Sequence, residues 1–445
     1  MTSVVGILNK RGIAIAADSA VTRTHGSGDD GREKVTNNGN KMVRMCESSP
    51  ICVMVTGTND FLGVPWDIII RRYRTARGKT LHHSMEDAVH DFFSYISGAD
   101  ELWDDFSVRN SMALALQDIY EDVADGVGSL KGSIMPEDFD DVLDEISEEL
   151  DDISYDHLGE CHPYIDYSIE RFSACAETVV DDFIQKRDSA YARANIGLPG
   201  TIWEELREQI YGAIFSRYQY KYEPDNTELI FCGYDIDSPY PSLVPVSINR
   251  TGGVDRHISY RIDEKNIVRI DDQHPAAICP FAQTDVMDSL LSDADNSNTM
   301  EDSYKSWSQT VRAGMSGIFN LYENCGYFPI DENDITDKKI RQDIKEIDTK
   351  SIKRQFDSNL NSFFAQNKKE WERMLEDYDL KSMADLAESL IELTEFNRVL
   401  TFKQEGVGGT IDLATISRSD GFSWLNRKSW YHKKDTDGMH GKFGI

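Results

Sequence analysis

The chain has 445 residues and a mass of 50.5 kDa, enough for more than one domain and for a large core. Lys and Arg number 47 against 78 Asp and Glu, and the resulting net charge of −31 repels phosphate backbones and anionic membrane faces alike, arguing against nucleic-acid and membrane binding. A hydrophobic content of 40% with 10% aromatics excludes wholesale disorder.

In chain order, residues 2–22 read as two strands, TSVVGIL and GIAIAADSAVT, joined by a tight turn at Asn9-Lys10-Arg11-Gly12 in which Gly12 supplies a positive φ. The polar, Gly/Asn/Asp-rich stretch 23–40 reads as a loop, before two more strands, KMVRMCE and ICVMVTG, around Ser48-Ser49-Pro50. Helical periodicity follows in FLGVPWDIIIRRYRTAR and SMEDAVHDFFSYISG and continues from about Glu101 to Tyr222. Within it, Phe139, Leu143, Ile146, Leu150 and Ile153 make one apolar stripe on an acidic helix, whose other face reads as solvated and alternatively as a surface for a partner. Strands return at Glu228–Cys232, Leu243–Asn249 and His257–Ile262. Residues 283–330 and 336–398 read as helices, the second stretch with Ile340, Ile344, Ile347, Ile352, Phe356, Leu360 and Phe363 on one face. Gly408-Gly409 then precedes a last strand, TIDLATIS, and a charged, aromatic tail. Strand groups far apart in sequence, with helices between them, pack most economically as two sheets with helices outside.

The seven cysteines contain no C-x-x-C spacing, which favours a reducing cytoplasm over a disulfide framework or zinc ribbon. Lys10 and Arg11 interrupt any signal-type apolar region, and no apolar run reaches the ~20 residues that span a bilayer. No Walker A, Rossmann glycine pattern, H-E-x-x-H or EF-hand spacing occurs, and the adjacent Cys161-His162 reads as structural. A cytoplasmic protein without metal or cofactor is expected.

Thr2 is the chemically informative residue. Removal of Met1 would leave an α-amine and a hydroxyl on one residue. An α-amine titrates near pH 7.7–8, so it can take the Oγ proton directly or through one water. Sixteen residues on comes Asp18, within Ala16-Ala17-Asp18-Ser19, with Thr22 four residues later. Then come Lys41-Met42-Val43-Arg44-Met45 and Val55-Thr56-Gly57-Thr58-Asn59-Asp60.

This constellation resembles the opening of proteasome β-type subunits, which belong to the N-terminal-nucleophile (Ntn) hydrolases. Ile230-Phe231-Cys232-Gly233-Tyr234-Asp235 and Gly408-Gly409 resemble later landmarks of that family. The resemblance implies an α+β fold, a four-layer αββα sandwich, here of a divergent prokaryotic branch with large helical insertions. It implies Thr2 as nucleophile, Lys41 as the ammonium that favours its alkoxide, Asp18 as the carboxylate that keeps Lys41 charged, and Gly57 as an N–H donor to the oxyanion. Val21, Thr22, Val43, Val55 and Asn59 would border the substrate. Lys34 stands at the family's usual count from Thr2, and choosing Lys41 requires a seven-residue insertion; Lys41 is preferred because a strand holds a charge more rigidly than a loop. The sequence departs from the family at Ala282-Gln283-Thr284-Asp285, where a Ser-Gly turn assists proton transfer, and at Gln404 and Val407, where the family has Asp and Ser. Thr284 and Glu405 are the nearest substitutes.

The expected organisation is a first half-core at 1–98, a helical insertion at 99–225, a second half-core at 226–290, a second insertion at 291–383, a core return at 384–425 and a tail at 426–445. The expected function is a threonine-type peptidase or amidase acting on a peptide or protein, assembled as a homo-oligomer, with an unfoldase or regulatory protein as a further partner by analogy. The alternative is a catalytically degenerate scaffold of the same fold that works by binding partners.

Overall fold

Near-continuous apolar sequence at the start of the chain becomes a hairpin buried on both faces. β1 (Ser3–Asn9) and β2 (Gly12–Ala17) are buried at every position and pair antiparallel, Val4 opposite Ala17 and Asn9 opposite Gly12. The Asn9 side chain accepts the Arg11 N–H at 2.8 Å across the turn. Gly12 has φ +156°, and a Cβ there would stand 2.3 Å from the carbonyl oxygen of Ile416 on a neighbouring strand, so close approach of the backbones requires glycine. The structure, a computed structural model, describes residues 3–19, 21–25, 32–36, 40–155, 167–219, 227–282, 369–400 and 409–427.

β3 (Val21–His25) and β4 (Arg32–Thr36) form a separate antiparallel ribbon with Arg23 opposite Lys34. Two readings are corrected here: 12–22 is not one strand, since β2 stops at Ala17, and 23–40 is not simply a loop. The arms VTRTH and REKVT carry Thr and Val with β propensity but no apolar alternation, so composition alone hides them.

β5 (Met42–Arg44) and β6 (Ile51–Thr56) come next, then the short pair β7 (Asp60–Phe61) and β8 (Val64–Pro65). α1 (Trp66–Arg77) and α2 (Met85–Gly98) follow, α2 opened by a capping box in which Ser84 and Asp87 satisfy each other's backbone N–H groups. The helical stretch resolves into α3 (Asp105–Gly126), α4 (Phe139–Tyr155), α5 (Ile169–Ala194), α6 (Gly200–Glu205) and α7 (Arg207–Gln219). These helices have a core of their own around Leu116, Ile146, Phe172, Trp203 and Ile214, and the α4 stripe packs into it: Ile146 and Leu150 are buried, while Phe139, Leu143 and Ile153 lie against them.

β9 (Thr227–Gly233), β10 (Ser242–Val254), β11 (His257–Ile262), β12 (Val268–Arg269) and β13 (Ala276–Ala282) return to sheet. Residues 369–376 are helical. α8 (Leu380–Leu400), β14 (Asp412–Ser417) and β15 (Gly421–Asn426) complete the described chain. The reading of 426–445 as tail thus meets a strand that runs to Asn426. The stripe from Ile340 to Phe363 lies outside the described residues.

The result is a mixed α+β fold with antiparallel sheets. One sheet has the order β13-β1-β2-β14-β15, and another has the order β11-β10-β9-β6-β5 with β12 beside β10. Pleating sorts the side chains of the second sheet. Met42, Met54, Ile230, Cys232 and Leu243 join Val4, Leu8, Ile13, Ile15 and Ile416 of the first sheet in one apolar cluster. Val43, Val53, Phe231 and Val244 face the other way, against Ile69 and Ile70 of α1 and Phe92 and Phe93 of α2. α8 contacts β1, β2 and β14.

The chain divides into two units, Met1–Gln283 with Tyr378–Ile445, and Thr284–Asp377; all the numbered elements belong to the first. No described helix is long and apolar enough to cross a membrane, and among the described residues no His, Cys, Asp and Glu cluster could hold a metal ion. Cys46, Cys52, Cys175, Cys232 and Cys279 are free thiols.

Candidate active site

Two charged residues that lie 23 apart in sequence meet where the two sheets come together. Asp18 directly follows β2 of the first sheet, and Lys41 directly precedes β5 of the second. The Lys41 Nζ donates to Asp18 Oδ1 at 2.6 Å, with the side chains 4% and 0% exposed. Either side chain buried here alone would lack a partner of opposite charge, so the pair acts as one unit, each member positioning the other.

The backbone fixes both ends of this unit. The Ser3 N–H donates to the same Asp18 Oδ1 at 2.8 Å, and the Asp18 N–H returns a bond to the Ser3 carbonyl at 3.1 Å. The Lys41 carbonyl accepts from the Val55 N–H at 2.8 Å, locking the start of β5 onto β6. Asp18 therefore grips the backbone at the first described residue of β1, one position after Thr2. Thr2 itself lies outside the described residues.

Gly57 follows β6 directly, two residues past the Val55 that holds Lys41, so it stands at the same end of the second sheet as the ion pair. Its φ is +75°, a left-handed backbone in which a β-carbon is costly, and it is exposed. Val43 and Val55, 4% and 2% exposed, belong to the core beneath α1. Asn59 is half-buried, and its carbonyl accepts the first N–H of α1 from Trp66 at 3.1 Å. Val21 and Thr22 lie on β3, and Lys34 on β4. Lys34 is thus on a strand and not in a loop as expected, so strand placement does not separate it from Lys41, which is set apart by its buried bond to Asp18. Gln283, Thr284, Gln404, Glu405, Val407 and Gly408, with Cys161 and His162, lie outside the described residues.

Four further residues stand near the pair. Ser19 is fully buried, and its hydroxyl lies 3.3 Å from that of Thr410, joining the turn after Asp18 to the approach of β14. Asp412 is 4% exposed and stands opposite Ala17 in the register of β2 and β14. On α8, burial first and then the charge of Asp18 raise the Glu395 carboxyl above the ordinary range. Ser19 belongs to the Asp18-Ser19 motif and was visible as such. Thr410, Asp412 and Glu395 approach from nearly 400 residues away, brought here by the pairing of β14 with β2 and the packing of α8 on β1 and β2.

Chemically, the arrangement offers an ammonium fixed by a buried carboxylate, an anchored β1 terminus and a glycine turn at one edge. That combination stabilises negative charge on an oxygen placed beside Nζ. Comparison with protein-family models gives no match, and comparison with curated proteins gives none either.

Proposed function

We propose that the chain is an N-terminal threonine hydrolase of the proteasome-like Ntn class that cleaves a peptide or amide bond. The observation that carries this reading is the buried Lys41–Asp18 pair joining two antiparallel sheets one residue from Thr2. The packing of α8, the two sheets and the α1–α2 pair supports the finer description as a four-layer αββα sandwich. α3–α7 would then be one helical insertion into it.

In this proposal Met1 is removed and the Thr2 α-amine becomes the base. The amine takes the Oγ proton while Oγ attacks the substrate carbonyl carbon, and the Lys41 ammonium stabilises the forming alkoxide. The Gly57 N–H donates to the oxyanion. Collapse breaks the C–N bond, the departing amine takes the proton held by the α-ammonium, and an ester remains on Oγ. Water, deprotonated by the α-amine, then attacks the ester and regenerates Thr2. Free cysteines fit the cytoplasmic setting in which such an enzyme would work.

The departures at Gln283, Gln404 and Val407 favour one competing reading, a catalytically silent scaffold that keeps the fold and binds partners. Intact-mass measurement on the native protein separates the two: the enzyme lacks Met1, whereas an active preparation that retains Met1 throughout excludes an α-amine base on Thr2.

A further inference from the structure

A cavity of about 480 Å³ opens at the same end of the second sheet as the Lys41–Asp18 pair. Its position follows from the register: Thr56 pairs with Glu228 and Thr227 with Ile248, so the exit of β6, the entry of β9 and the later part of β10 share one end. Thr58, Thr227, Ile248 and Asn249 line the cavity there, and Thr58 is the neighbour of Gly57. One face of α3 forms the opposite wall, with Phe106, Asn110, Leu114 and Asp118 recurring at helical spacing.

Three observations define what fits. Phe61 and Trp66 line the cavity, and Phe106 and Leu114 lie on its α3 side, 76% and 50% exposed; large apolar groups left in water at the edge of a concave site favour an apolar occupant. Trp66 is 1% exposed, yet its buried indole N–H has no acceptor among the described residues. A buried donor of this kind is satisfied by an occupant that also carries an oxygen. The charged lining is Asp60 and Asp118 against Arg217, whose guanidinium is already bonded to Asp122, so the site offers no excess positive charge to an acidic group. An apolar side chain attached to a peptide backbone meets all three conditions, because its carbonyls supply the acceptor.

Resting on the reading of Thr2 as nucleophile, we propose that this cavity is the specificity subsite for the peptide substrate. It receives a bulky apolar side chain between α3 and the β6–α1 turn, with a substrate carbonyl accepting from the Trp66 indole. The helices outside the two sheets thereby acquire a role in choosing the substrate, since α3 supplies the apolar wall.

The test measures binding, so it does not depend on turnover. A fluorescein-tagged octapeptide of Gly and Ser with one central Phe, and its counterpart with central Ala, are titrated by anisotropy against the full chain carrying Thr2→Ala. The Phe peptide should bind about tenfold tighter or more, the gain expected from burying an aromatic ring. Ala115→Trp, which fills the cavity from α3, should abolish that preference. Leu114→Lys, at a half-exposed position that tolerates change, should reduce it severalfold. Trp66→Phe should weaken both peptides together. Equal affinities for the two peptides, or a Phe preference that survives both α3 variants in chains with unchanged melting temperature, overturns the inference. A cavity-dependent Phe preference in a chain whose native form never labels at Thr2 supports the subsite while removing the hydrolase reading; labelling at Thr2 with no such preference does the reverse.

Discussion

Lys41 and Asp18 are almost inaccessible to water, which governs what a substitution there does. Truncating Lys41 leaves a buried carboxylate that still accepts from the Ser3 N–H but has lost its counter-charge. Lys41→Ala should therefore destabilise the chain by about 3–5 kcal/mol in chemical denaturation, as breaking one side of a buried pair does. The double variant Asp18→Asn with Lys41→Met removes both charges at similar volume and should recover most of that loss while remaining inactive. Recovery of stability without recovery of activity separates the pair's structural part from its chemical part. Lys34→Ala should keep both. The pairing of Asp18 with Lys41 was expected from the sequence through the family resemblance, which rests on short local motifs around both residues. The contribution of Glu395 was not, because nothing in a helix so far downstream marks which of its acids will stand near Asp18.

At the scale of elements, α1 and α2 are tied together by a network around Asp91. The Tyr73 hydroxyl donates to one carboxylate oxygen at 2.6 Å, Arg77 donates to the other at 2.6 Å, and His82 lies 3.4 Å away. Burial alone would raise the Asp91 pKa, but the bonds from Tyr73, Arg77 and His82 outweigh it and hold it below the ordinary carboxylate range. Asp91 thus ionises at lower pH in the folded chain than in the unfolded one. Its contribution is fully present above the unfolded value of about 3.9 and is lost as pH falls through the lower folded value. Asp91→Asn should cost on the order of 1–2 kcal/mol at pH 7, discounted for a side chain 25% exposed, and should flatten the loss of stability in acid. Urea unfolding at pH 7 and pH 3 measures both; an acid limb as steep as that of the parent chain would contradict the assignment. The strands and helices nearest this network were legible because each carries its own period. β13 was not, since AAICPFA lacks alternation and contains Pro280, which an edge strand tolerates. β15 was hidden in a short, aromatic and charged stretch that pairs only at the outer edge beside β14.

For the molecule as a whole, the net charge of −31 opposes close association at low salt, whereas the proposed assembly into a homo-oligomer requires it. Light scattering should give a mass that is a multiple of 50.5 kDa, more populated at 0.3 M salt than at 0.03 M because screening shortens the repulsion. A strict monomer at both would remove the assembly part of the proposal without touching the chemistry at Thr2. The central claim is that Thr2 is a nucleophile activated beside Lys41. The measurement that tests it most directly is treatment of the native protein with a β-lactone, which a threonine alkoxide opens to a stable ester, followed by intact-mass and peptide mapping. A single acyl group is expected on Thr2 of a chain that lacks Met1, lost in Thr2→Ala and in the stable double variant at Asp18 and Lys41. An unlabelled, folded chain that keeps Met1, or a label on any other residue, would contradict it.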